Sequence, residues 1–93
     1  MATNLPLQNP IYIETTGTLF TAAHKLSIMG IKWYGATAGD QATLTDGNDV
    51  LIWSSVATVN NWSEYNDVAD ALWYCQGLKC SVLGSGKILV YVR

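Results

Sequence analysis

Gln41-Ala42-Thr43-Leu44-Thr45-Asp46-Gly47-Asn48-Asp49-Val50-Leu51-Ile52-Trp53-Ser54-Ser55-Val56 is the stretch that decides the fold class. Two runs rich in strand-forming residues flank Asp-Gly-Asn-Asp. Asp-Gly is a strong local hairpin signal, because glycine accepts the backbone angles that reverse a strand and aspartate bonds to nearby backbone. Residues 41–45 alternate apolar and polar, so one face is expected to be buried. The stretch therefore reads as two antiparallel strands joined by a tight turn.

The same pattern continues outward. Residues 26–36, Leu-Ser-Ile-Met-Gly-Ile-Lys-Trp-Tyr-Gly-Ala, carry the strongest strand signal. Their alternation slips by one at Gly30, which is how a β-bulge is written in sequence. Upstream, residues 11–15 alternate and read as a first strand, and residues 19–21 as a short second one. Downstream, residues 58–69 are polar and irregular and read as a loop, with one helical turn at 68–72 as the alternative. Residues 72–75 open a further strand, Gly77 interrupts it and residues 78–83 continue it. Gly84-Ser85-Gly86 turns the chain, and Lys87-Ile88-Leu89-Val90-Tyr91-Val92 closes it. About seven short strands with turns every roughly 8–12 residues predict an all-β chain, a small antiparallel β-sandwich or barrel.

Residues 11–93 are expected to form that single domain. Residues 1–10, Met-Ala-Thr-Asn-Leu-Pro-Leu-Gln-Asn-Pro, have no strand pattern. Pro6 and Pro10 remove backbone donors and favour extended geometry, so this segment reads as an N-terminal arm. An arm can add as a strand to a neighbour's sheet edge, with Leu5, Leu7 and Ile11 anchoring alternate side chains.

The 93 residues are 49% hydrophobic and 13% charged. Ordinary domains carry roughly 25% charged residues, so ionic cover is thin here. A chain this small buries only about 60% of its unfolded surface. Both facts predict a partner chain over part of the surface. The net charge is −2, and Lys25, Lys32, Lys79, Lys87 and Arg93 are scattered singly. Nucleic-acid binding needs a basic cluster, so no nucleic-acid partner is expected. No apolar run is long enough to span a bilayer as a helix, and no secretory signal is evident, so no membrane partner is expected either.

Chemistry-bearing residues are few. His24, the single histidine, lies in an expected loop with no paired histidine and no Gly-x-Ser-x-Gly elbow. Asp46 and Asp49 lack the ligand spacing of a calcium loop and fit a hairpin turn. Glu14 and Glu64 could be imagined as a glycosidase pair, but nothing else supports a cleft. The expectation is no catalytic residue, no metal and no cofactor. Cys75 and Cys80 can bond if residues 76–79 form a hairpin loop. If the strand runs on through Gly77, they fall on opposite faces, too far apart to bond. Free, mostly buried thiols are preferred in the absence of a secretory route. Asn61-Trp62-Ser63 matches a glycosylation acceptor, which also needs that route. Trp33, Trp53 and Trp73 read as core. Trp62 and Tyr65 lie in polar surroundings, where they can touch a partner protein, stack on sugar, or pack over one end of the domain.

Three stretches carry a resemblance: 30–37 (Gly-Ile-Lys-Trp-Tyr-Gly-Ala-Thr), 44–53 (Leu-Thr-Asp-Gly-Asn-Asp-Val-Leu-Ile-Trp) and 77–91 (Gly-Leu-Lys-Cys-Ser-Val-Leu-Gly-Ser-Gly-Lys-Ile-Leu-Val-Tyr). Together they resemble small virion-associated β proteins of tailed bacteriophages. The resemblance implies a non-enzymatic structural role in the virion, assembled in the host cytoplasm: capsid decoration or cementing, or a head–tail or tail accessory. It implies the major capsid protein or another virion protein as partner. It identifies no binding residues and does not extend before Ile11. Capsid sites are symmetric, so a homo-oligomer is expected, a trimer first. A glycan-binding module on the virion surface, using Trp62 and Tyr65, is the alternative.

Overall fold

A computed structural model describes residues 4–67 and 73–93. These contain seven strands: β1 (Ile11–Ile13), β2 (Gly17–Ala36), β3 (Gln41–Thr45), β4 (Leu51–Val56), β5 (Trp62–Asp67), β6 (Trp73–Leu83) and β7 (Lys87–Val92). Every pairing between them is antiparallel. The fold is all-β, as the sequence predicts.

The 41–56 stretch forms its hairpin, with Leu44 of β3 opposite Trp53 of β4. The Asp46 carboxylate makes the turn by accepting the N–H groups of Asn48 and Val50 at 2.8 and 2.9 Å. The Asp46 N–H in turn donates to the Val50 carbonyl at 2.9 Å. An aspartate at this position supplies the bonds that a tight reversal would otherwise leave unmade.

β2 differs from the two short strands expected for it. It runs unbroken over twenty residues and carries His24 within it. The reason lies in its bulges, of which two matter most here. Phe20 pairs with Leu78 and Lys25 with Gln76, so residues 21–24 bow out opposite the single residue Gly77. Gly77 has φ +83°, and a Cβ there would sit 2.6 Å from the Thr21 carbonyl carbon. Only glycine permits both that dihedral and that close approach. The second bulge falls where the alternation slips: Ile28 pairs with Val92 and Gly30 with Tyr91, leaving Met29 as the extra residue. That slip puts Ile28, Ile31 and Trp33 together on the inner face, all fully buried.

β5 replaces the expected loop. Its polar residues hid a strand whose inner side is built from hydrogen bonds. The helical turn considered at 68–72 lies outside the described residues. β6 runs through Gly77, and Cys75 and Cys80 are free thiols. They are not on opposite faces, however. The slip at Gly77 turns the half-buried Cys75 toward the same core that buries Cys80.

The sheet order is β1-β7-β2-β6-β3-β4, with β5 also on β2. Residues 17–28 of β2 pair with β6, while residues 30–36 pair with β5 and residues 28–34 with β7. The two halves of the sheet face each other. Trp33 of β2 meets Trp53 of β4 edge-to-face at 5.9 Å. Ser55 of β4 hydrogen-bonds Glu64 of β5, so strands from the two halves touch. Ile11, Ile13, Ile88 and Val90 from one half and Leu44, Leu78 and Cys80 from the other complete one core. Each fully buried large aliphatic side chain contributes about 1.5–3 kcal/mol.

Candidate functional site

Cross-strand partners in an antiparallel sheet point to the same side. The registers here therefore chain into one row across the outer face. Leu5 lies opposite Tyr12, Tyr12 opposite Leu89, Leu89 opposite Lys32, and Lys32 opposite Tyr65. Tyr91 opposite Gly30 and Lys87 opposite Tyr34 flank the row. Four of the five tyrosines thus share one outer surface made by β1, β7, β2 and β5.

The tyrosines are held in place. The Tyr65 ring lies over Gly30, where an added Cβ would meet its hydroxyl at 2.5 Å. Tyr65 also packs edge-to-face on Tyr91 at 5.8 Å. The Lys32 ammonium stands 5.8 Å from the Tyr34 ring centroid, within cation–π range. Tyr12 donates its hydroxyl to the Glu14 carboxylate, and this bond pushes the phenol up to about 12.

The N-terminal segment is tied to this surface. Asn4 accepts the Glu14 and Thr15 N–H groups at 2.8 and 3.2 Å and donates to the Thr15 carbonyl at 3.1 Å. Asn9 brackets Val92, donating to its carbonyl at 2.6 Å and accepting its N–H at 3.0 Å. These amides mimic backbone pairing and hold residues 4–10 against the body.

The five residues proposed from sequence as partner contacts are spread by the fold. Leu7 is 92% exposed, Tyr65 52% and Leu5 43%. Leu5 and Tyr65 are the two ends of the outer row. Ile11 is 1% exposed, opposite Val90 in the core. Trp62 is half-buried, and its indole N–H donates to Glu64 at 3.1 Å. Trp62 and Tyr65 project from opposite faces of β5, so the two rings form no common platform. Sequence reasoning missed Tyr12, Lys32, Tyr34, Leu89 and Tyr91. The signal was present: in residues 11–13 and 88–92 the outward phase is filled by Tyr12, Leu89 and Tyr91 instead of charged residues.

On the inner side of β5, Glu64 accepts from Ser55, from Trp62 and, at 3.1 Å, from Asn66. Desolvation opposes its ionisation, but the three bonds outweigh it and hold the carboxyl below its ordinary value. Glu64 is thereby the polar clasp between β4 and β5. Glu14 and Glu64 each have partners of their own. His24 stacks on Phe20 at 4.3 Å. Desolvation pushes the Cys80 thiol up to about 11, and desolvation with the Asp46 charge raises Cys75, so both stay protonated near neutral pH. Among the described residues no three His, Cys, Asp or Glu side chains are grouped as metal ligands, and no helix is long and apolar enough to cross a membrane.

Compared with known protein families, curated proteins and solved structures, the chain has no match.

Proposed function

We propose that this chain is a non-enzymatic structural protein of a tailed-phage virion, a capsid decoration or cement protein. The observation that supports this reading is the continuous outer row from Leu5 to Tyr65. It joins the N-terminal segment and the β body into one tyrosine-rich surface. Tyrosine is enriched at protein interfaces because it combines large apolar area with a polar tip at low entropic cost. Leu7, 92% exposed in the same N-terminal segment as Leu5, adds an apolar anchor. In this reading the surface seats on the major capsid protein, with copies of the chain, a trimer first, sharing symmetric capsid sites. A head–tail or tail accessory role uses the same surface and differs in copy number. A sugar platform on Trp62 and Tyr65 is not favoured, since their rings lie on opposite faces of β5.

The test is co-sedimentation of the purified protein with empty phage capsids. Wild type is expected to bind in on the order of hundreds of copies per particle, the scale set by repeated symmetric capsid sites. Leu5→Asp combined with Tyr65→Ala is expected to weaken binding by more than about tenfold, as loss of an apolar and an aromatic anchor at both ends of the row does. Deleting residues 1–10 is expected to weaken it as well. Binding unchanged by these variants, or absent from wild type, would overturn the reading.

A further inference from the structure

On the other half of the molecule, the 46–49 turn and the β2–β6 pair enclose a groove of about 640 Å³. We propose that this groove binds a short neutral carbohydrate. The inference goes beyond the virion reading and does not depend on it.

The groove is built by the same irregularity that bends β2. Residues 21–24 bow out opposite Gly77. The hairpin turn reaches across to meet them: the Gly47 N–H donates to the Gln76 carbonyl at 2.7 Å. Gly47 is seated so closely that a Cβ would fall 2.4 Å from the Ala22 nitrogen. The turn is therefore pinned to both strands, and its side chains are held at a set place. Its volume lies within the roughly 300–1,000 Å³ of small-ligand sites.

The lining matches a sugar better than other ligands. Tyr74 is 79% exposed although it lies within a strand, paired with Ser27. An aromatic ring left open to solvent offers a flat apolar surface to the C–H face of a pyranose. Asn48 and Gln76 bring planar amides, each with a donor and an acceptor, and Asp46 brings a carboxylate. Adjacent sugar hydroxyls need such side-by-side donors and acceptors. Lys25 and Asp46 contribute one charge of each sign, so the lining carries no net charge to attract a charged ligand. A phosphate or nucleotide would need a cationic excess. A lipid or apolar peptide segment would need a larger apolar lining than Leu26 and Cys75 supply.

The test is an amide-resolved NMR titration of the full chain with maltotetraose, cellotetraose and chitotetraose, which differ in linkage and substituent. At least one is expected to give saturable shifts at residues 25–27, 46–48 and 74–76, with Kd near about 1 mM. Tyr74→Ala is expected to weaken that binding about tenfold, and Tyr74→Phe, which keeps the ring, to stay within about twofold. Tyr74 is exposed, so both variants keep the fold, and the shifts of the uninvolved strands verify this. Asn48→Ala, a second exposed site, is expected to weaken binding by about threefold or more. No saturable shift with any of the three sugars up to about 20 mM would overturn the proposal. So would shifts confined to the tyrosine face, or binding that survives Tyr74→Ala.

Discussion

The two ends of β2 belong to one strand but live under different constraints. Residues 30–34 are paired on both edges, by β5 and β7, and the segment 30–36 buries Ile31, Trp33 and Ala36. Residues 17–27 are paired by β6, bulge by several residues at once, and bury no side chain completely. Where two ladders flank the strand the irregularity is held to one extra residue, Met29 between the doubly paired Ile28 and Gly30. The half paired by β6 alone bows out by four residues opposite Gly77, and the bow helps shape the groove at Tyr74. Rigid outer surface and irregular groove thus come from the same strand.

The sharpest way to break this comparison is to truncate a side chain in each half. Trp33→Ala removes a fully buried ring, its contact with Trp53 and its N–H bond to the Ser85 carbonyl. It is expected to cost about 3–5 kcal/mol, read from urea unfolding. Phe20→Ala, in the bowed half, loses a half-buried ring stacked on His24 and is expected to cost about 1 kcal/mol. Equal losses would show that the two halves are packed alike.

Next in size is Gly77→Ala. The side chain would be placed at φ +83° and 2.6 Å from backbone, so a loss of about 2 kcal/mol is expected. Amide exchange should quicken at residues 17–27 and much less at residues 30–36. Uniform quickening would mean that the bow and the doubly paired segment unfold as one unit.

The smallest effect sharpens the comparison at β5. Glu64 has a depressed folded-state pKa, so its contribution is present above the unfolded carboxyl value of about 4.5 and is lost as pH falls through and below it. The clasp is partly solvated, so less than about 1 kcal/mol is at stake. Glu64→Gln is expected to lower stability slightly at pH 7 and to approach wild type as pH falls below the ordinary carboxyl range. An unchanged acid limb in Glu64→Gln would show that the β4–β5 seam does not rest on this carboxylate.

The parts of the fold legible in the sequence are those whose information is local. The hairpin is written in Asp46 and Gly47, the closing strand in the apolar, β-branched run of residues 88–92 after the Gly84-Ser85-Gly86 turn, and the Met29 bulge in the slip at Gly30. β5 was not legible, because strand patterns are recognised by one apolar side. Glu64 and Asn66 occupy that side here, and they are tolerated only because Ser55, Trp62 and each other supply hydrogen bonds. His24 looked like a loop residue because a bow of four residues opposite one glycine has no periodicity to read. Ile11 looked like an anchor for a partner because nothing in its own neighbourhood announces Val90, nearly eighty positions away.

The candidate site divides in the same way. Leu5, Leu7 and Tyr65 were visible as apolar or aromatic residues in polar settings. The row that joins Leu5 to Tyr65 was not, because it exists only once β1, β7, β2 and β5 are in register. The amino-acid sequence alone determined the all-β class, the turns and which residues prefer to be buried, since these follow from backbone preferences and side-chain polarity within a few positions. Tertiary structure alone decided which outward side chains become neighbours, because that depends on strand order and register between segments distant in the chain.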